Sequence, residues 1–531
     1  MSATPEQVTP DQVAPATSRR TLLGQAAAVG VGGAVAALAV PAPAEAARYR
    51  PARYRGKRML TRRGRLVLSR FSYGITPALA AQVRKQGGWQ KWFDKQLTPD
   101  RINDSQMRRY DAWWPELSRG PEDLWVRSRN GGLRGSQVML SYERWVLTRR
   151  MYTRRQLLEV MTEFWENHFN VPAIGNDHFV HRKAYGDAIR ARALGSFEDL
   201  LGTVITHPAM LLYLDNAVST AKAPNENLGR ELLELHTVGR GNYGEDDVKS
   251  SARILTGWTC DIRGTWAPRY VAENHWRGPV RVMGFSDPNA AADGRELTRR
   301  YLGYLAHHPA TAQRIARRLA VKFVRDNPPQ ALVDRLATVY LDNDTRIAPV
   351  LRALIASPEF ADSTGAKVKD PGEDLVSTYR ALRVRLLAPK SGSDAANQML
   401  WQADNMGAMP FEWPAPDGQP IDNETWSNPS RLLGSMETHY ALSGTWWPRE
   451  GVRYRKHRAW VPTYPIRFDR LVDHLSQELL HRRSTAELLE ACCAAVDVRP
   501  RERITRQHAL VRYQMPRLLT TFLDSPYFLT R

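Results

Sequence analysis

The chain has 531 residues, 43% hydrophobic and 24% charged, with a formal net charge of +20. This is globular composition, long enough for a large core or two lobes. Its three cysteines, Cys260 and the neighbours Cys492 and Cys493, exclude the even, spaced disulfide framework of chains that oxidise outside the cell.

In chain order, Thr17-Ser18-Arg19-Arg20-Thr21-Leu22-Leu23 comes first, followed by an Ala/Gly-rich apolar run to Val40 and then Ala44-Glu45-Ala46. The pattern predicts a twin-arginine export signal over residues 1–46, cut between Ala46 and Ala47. Its glycines and alanines make a poor membrane span, so no transmembrane span is expected in the mature chain. This route carries folded proteins, in keeping with the cysteines, and places the protein outside the cell or at its envelope. Without the signal the net charge is near +21, and Ala47–Arg65 holds nine Lys/Arg and no acid. Residues 47–64 read as a basic, flexible arm. Such a block suits adhesion to an anionic surface, such as phosphate-bearing wall polymers or lipid headgroups. Nucleic acid suits the charge but not the compartment.

Beyond the arm, helical periodicity dominates. In Gln156–Phe169, Leu157, Val160, Met161, Phe164 and Trp165 form one apolar face, and Ala312, Ile315, Leu319, Ala320 and Phe323 draw another. Helices are also predicted at 77–96, 139–152, 187–205, 330–341, 346–356, 373–386 and 484–495. Only 256–285 is strand-like and turn-rich, expected as extended arms or a small hairpin. Met409–Pro429 and Gly444–Pro465 read as long Trp/Pro-rich loops. The expected fold is all-α, mainly helical, with two lobes of helix pairs. Within residues 65–531, an N-terminal lobe over 65–258 and a C-terminal lobe over 297–531 flank an extended section at 259–296.

The stretch NENLGRELLELHTVGRGNYGEDDVKSSARILTGWT (225–259) contains Gly239-x-Gly241-x-x-Gly244, the spacing of a dinucleotide-binding turn. That turn needs a strand before it and a helix after it. Here Leu228, Leu232 and Leu235 place a helix before it, and Glu245-Asp246-Asp247 at the next helix start would repel a pyrophosphate. The glycines read as helix C-cap and turn positions, and no nucleotide cofactor is expected. The stretch becomes a helix–loop–helix, closing at Trp258, with Asn227, Arg230, Glu231 and Glu234 in one polar stripe and i, i+4 pairs Glu226–Arg230 and Arg230–Glu234. Glu231 and Glu234 can ligate one divalent cation or share a proton, or equally form a salt-bridged face around Arg230. His236 reads as a packed, hydrogen-bonded histidine.

The same stretch closely resembles the signature of the domain-of-unknown-function 1800 family, an exported bacterial group. RLVLSRFSYGITP (65–77), FWENHFNV (164–171), HPAMLLYLD (207–215), HPATAQRIARRLAVKFVRDNPP (308–329) and KVKDPGEDLVSTYRALR (367–383) are similar to its other segments and keep its order. The resemblance spans Arg65 to the C-terminus. It implies a mostly helical exported protein without a settled activity, encoded beside a second exported protein with a sulfatase-like look. The chain departs from the family pattern at His275-Trp276 and at PFEWPAPDGQ (410–419), which keeps Trp413-Pro414. If those segments form an active site, the departures imply altered chemistry in this member.

Other candidates are weaker motifs. His168 continues the apolar face of its helix, whereas Glu159, Glu163 and Glu166 lie on the other side and cannot converge on one ion from one helix. The loop at 445–465 alternates Trp446, Trp447, Tyr454 and Trp460 with Arg449, Arg453 and Arg455, and such pairs can stack on sugar rings while meeting anionic groups. The leading expectation is an exported protein that binds, or helps process, an anionic wall polymer or polysaccharide with a secreted partner. The alternatives are a hydrolase-like enzyme, with or without a metal, using Glu231, Glu234 and His168 or His275, and a purely structural envelope protein. The sequence names neither metal nor cofactor.

Overall fold

A computed structural model describes residues 52–55, 58–173 and 177–531; the export signal and its cleavage site lie outside them. The described residues pack as one unit, mainly helical, with small two-stranded sheets. One apolar core runs from Leu60 to Phe528. No helix among the described residues is long and apolar enough to cross a membrane.

Most helix boundaries follow local chemistry. The helix expected over 77–96 breaks at Gly87-Gly88 into Pro77–Lys85 and Trp89–Gln96, because paired glycines disfavour continuation. That expected over 187–205 breaks before Ser196, whose hydroxyl caps Phe197–Ile205. The His-Pro and Ser-Pro units start new helices at Pro208, Pro309 and Pro358, with His207, His308 and Ser357 as side-chain caps. The strand-like section forms two hairpins: Trp258–Cys260 pairs with Pro268–Tyr270, and Val280–Val282 with Phe285–Asp287.

The glycine-rich bend has helices on both sides. Glu226–Glu231 continues into a π-helical turn, Leu232–His236, and Glu245–Leu255 follows the bend. Gly239 and Gly241 both take positive φ, 89° and 82°, which glycine adopts without a Cβ penalty. Arg230 reaches forward to Glu245 at 2.7 Å as well as back to Glu226 at 3.4 Å. The expected Arg230–Glu234 pair does not form. The π-turn carries Glu234 off the α-helical row, where it meets Arg240 and the Tyr243 hydroxyl.

Part of the segment expected as a flexible arm is anchored. The Tyr54 amide donates to Asp473 at 2.8 Å, Arg483 donates to the Tyr54 carbonyl at 2.9 Å, and the Tyr54 ring meets His474 edge-on. Arg62 already opens a helix, Arg62–Arg70, capped by Thr61.

Candidate functional site

The helix Gln156–His168 is buried on both faces. Its apolar face enters the core, and its acids, Glu159 and Glu166 buried and Glu163 half-buried, meet arginines from Gly135–Tyr152 and Arg182–Arg192. Glu159 meets Arg149 at 2.7 Å and Arg190 at 3.2 Å. Burial opposes its charge, yet the two guanidinium groups hold its pKa down at about 2. Glu166 accepts from the Tyr142 hydroxyl and pairs with Arg182 at 3.3 Å. Glu163 faces a third set: the Tyr73 hydroxyl donates to it, and Arg150 stands 3.6 Å away.

Glu163 leads to another buried charge cluster. KVKDPGEDL begins the helix Pro371–Ala381, with Asp370 as N-cap and Glu373 at N3 in a capping box: Asp370 accepts from the Glu373 amide at 2.8 Å, and Glu373 from the Asp370 amide at 3.2 Å. Lys322, from Pro309–Phe323, bridges Glu373 at 3.0 Å and Asp370 at 3.4 Å, and Arg531 also pairs with Glu373. Burial and the nearby Glu373 charge push the Asp370 carboxyl up to about 6, against the pull of Lys322. Glu373 is also buried, but Arg531 and Lys322 hold it ionised, below the usual carboxylate range. Two unlike carboxyls thus share one cation, the kind of split that sorts an acid from a base.

This cluster divides two cavities. A small one of about 40 Å³ is lined by Arg150, Glu163, Lys322 and Asp370 on one side and by the loop carrying Trp413 on the other. Asn170 holds that loop by donating to the Trp413 and Ala415 carbonyls at 2.9 and 2.8 Å. Asn167 donates to the Gln419 carbonyl and accepts from its amide, at 2.7 and 2.6 Å. Between them, Gly418 has φ 77°, and a Cβ there would stand 2.0 Å from the Asn167 carbonyl oxygen. The larger cavity, about 370 Å³, is lined by Tyr73, Glu373 and Arg531 together with Lys369, Ser377 and the Arg62–Arg70 helix. Lys369 donates to Ser377 Oγ at 2.8 Å and lies over the Phe528 ring; burial lowers its pKa to about 8.

A second buried network stands behind this helix. Asp374 accepts from Arg431 at 3.1 Å, Ser435 at 2.9 Å and His439 at 3.3 Å, and the other His439 nitrogen lies 2.7 Å from Asp524. Burial works against charge on His439, but Asp374 and Asp524 prevail and hold its pKa above the usual value.

The acids and histidines picked out by the sequence occupy separate places. Glu231 is half-buried, its pKa raised by burial and by Glu234, and its surroundings include Tyr213 and Asp417. The Tyr243 hydroxyl and Arg240 hold Glu234 ionised. His168 Nε2 lies 3.0 Å from the His236 carbonyl, and His236 Nδ1 3.0 Å from the His168 carbonyl, so the rings latch two segments. Burial lowers both pKa values and keeps the rings neutral. His275 is buried beside the hairpins, with Asn289 Oδ1 at 2.8 Å and the Thr256 carbonyl at 3.2 Å. His168 and His275 share no hydrogen-bond partner with Glu231 or Glu234. Asn227 is exposed at the start of its helix.

Among the described residues, the acid and histidine group whose ligand atoms all lie within 4.8 Å of one another is Glu198, His307 and Asp344. His307 already uses Nδ1 on the Gly303 carbonyl at 2.9 Å.

The loop at 445–465 divides by exposure. Trp460 is buried under Arg455, 4.0 Å above its ring. The half-buried Tyr454 donates to the Pro448 carbonyl at 2.7 Å. Trp446 and Trp447 face solvent, 43% and 36% exposed; Arg449 donates to the Trp446 carbonyl at 3.0 Å, and Arg449 and Arg453 are both exposed. Trp446 meets Tyr440 edge-on at 4.6 Å. Tyr440, Met436 and Leu433 form an exposed stripe along the helix Pro429–Ser443.

The sequence reading missed Asp370 and Glu373 as site residues, although D-P-G-E is a legible capping box. Their partners Glu163, Lys322 and Arg531 lie far away in the chain, beyond any local pattern. No curated protein and no solved structure matches the chain. The model of the family described as "Protein of unknown function (DUF1800)" matches residues 66–530, and the chain belongs to that family.

Proposed function

We propose that the protein is exported and binds an anionic envelope or extracellular polymer, working beside a second secreted protein. The observation that carries this reading is the exposed aromatic edge of Tyr440, Trp446 and Trp447, with Arg449 held against Trp446 and Arg453 exposed in the same loop. Flat rings offer sugar faces a stacking surface, and guanidinium groups pair with phosphate or carboxylate along a chain. Lone exposed apolar residues are ordinary, but contiguous ones favour a binding role. The basic segment after the predicted signal adds attraction of the same sign. Affinity electrophoresis of the full chain through gels holding a polyol-phosphate polymer or a neutral glucan tests the reading. Retardation by the anionic polymer, lost in the double variant W446A/W447A and weakened in R449Q/R453Q, is expected. Equal mobility of wild type and double variant in every gel rejects it.

A second reading, a hydrolytic enzyme, is favoured by Asp370. A carboxyl held near neutrality beside an ionised partner can give a proton to a leaving group and take one from water. A panel of chromogenic glycosides and esters, compared between wild type and Asp370→Asn, tests it. Turnover lost in the variant supports hydrolysis, and turnover equal in both removes Asp370 from the reading.

A further inference from the structure

The larger cavity is charged almost entirely one way. Arg62, Arg65, Lys369, Arg482 and Arg531 line it, and among the described residues Glu373 is the one side-chain carboxylate in the lining. Glu373 is already held by Lys322 and Arg531, which leaves no side-chain carboxylate of the described lining to balance the other three arginines. Arg62 spends one N–H on Thr364 Oγ1 at 3.4 Å, Arg65 spends one on the Leu60 carbonyl at 3.3 Å, and Arg482 lies 3.8 Å over the Tyr527 ring. None of these three forms an ion pair with a carboxylate among the described residues. Arg65 feels the imbalance: its pKa is lowered by burial and then by the like charges of Arg482 and Arg62.

Arginines that repel one another around a cavity are costly unless an anion joins them. A guanidinium has five donors in a planar fork that matches an oxyanion, so most donors on these three side chains remain available. Ser69 and Thr364 add hydroxyls, and Ile75 and Tyr527 add an apolar wall. A volume of about 370 Å³ suits a small ligand buried in a cleft. It exceeds what a bare anion fills. The geometry points to a site for a phosphate or sulfate group carried on a small organic body such as a sugar or polyol. Arg62, Arg65 and Arg482 hold the anion, and the Tyr527–Ile75 wall packs the body. No residue of the exposed aromatic edge lines this cavity, so the two sites fail or stand independently.

Calorimetric titration of the full chain at fixed ionic strength tests the site, with inorganic phosphate, inorganic sulfate and glucose 6-phosphate as separate probes. Saturable binding is expected, with glucose 6-phosphate at least 10-fold tighter than inorganic phosphate. The phosphate and sulfate arms distinguish the two anions. Arg65→Gln and Arg482→Gln should each weaken binding 10-fold or more, while W446A/W447A leaves it unchanged. Arg62 is exposed, so Arg62→Gln serves as a variant that folds, with a loss of several-fold. Absence of saturable binding by all three probes overturns the site, as does binding that Arg62→Gln and Arg482→Gln leave intact.

Discussion

At Gly418 the loop bearing Trp413 depends on a missing atom. A positive φ already strains a larger residue, and the Asn167 carbonyl occupies the place of its Cβ. Gly418→Ala should therefore cost more than the usual ~1 kcal/mol for leaving glycine geometry. The expected result is a lower melting temperature with greater accessibility of Trp413 to a fluorescence quencher. His439 offers a test of sign. Its folded pKa lies above the unfolded value near 6.5. Its stabilisation is thus complete below that value and is lost as pH rises through the folded pKa. Melting curves from about pH 6 to 9 should show this fall in the wild type, and His439→Gln should flatten it. Removing the ring entirely, in His439→Ala, should cost about 3–5 kcal/mol, because Asp374 stays buried with less cation around it.

The helix Pro371–Ala381 shows why an element can be legible while its role is not. Its start is written locally in Asp370, Pro371 and Glu373, and the hydrophobic stripes of Gln156–His168 and Pro309–Phe323 are equally local. The glycine bend could also be placed between helices from leucine spacing and acid placement alone. Burial of Glu159 and Glu166, and the half-buried pairing of Glu163, are not readable locally, because each needs an arginine or tyrosine from another element. Likewise, periodicity cannot show that a π-turn shifts Glu234 toward Tyr243. The capping box carries its own prediction. Asp370 has a raised folded pKa, so its favourable contribution belongs to the protonated form and is lost as pH rises from its unfolded value through about 6. Asp370→Asn should remove this slope from the stability–pH curve, read by chemical denaturation, without the large loss expected of Lys322→Met. That second variant takes the cation from Asp370, leaves Glu373 with Arg531 alone, and should cost about 3–5 kcal/mol.

At the scale of the molecule, charge and export make a joint prediction. If the basic surface holds the protein on an anionic polymer, retention in the gels above should fall steeply between about 50 and 500 mM salt. The aromatic contribution of Trp446 and Trp447 should persist. A reporter fused to residues 1–50 should leave the cell with Arg19-Arg20 intact and stay inside with both changed to lysine. The cluster around Glu373 also sets an order of events during synthesis. Arg70 near the start of the folded body donates to the Phe323 and Ser363 carbonyls, while Arg531 completes the pairing of Glu373. Residue 531 must therefore be made and in place before Glu373 gains Arg531 as its second cation beside Lys322. A nascent chain stalled after Leu529 should remain open to protease at the Tyr73 region, whereas the released chain should resist.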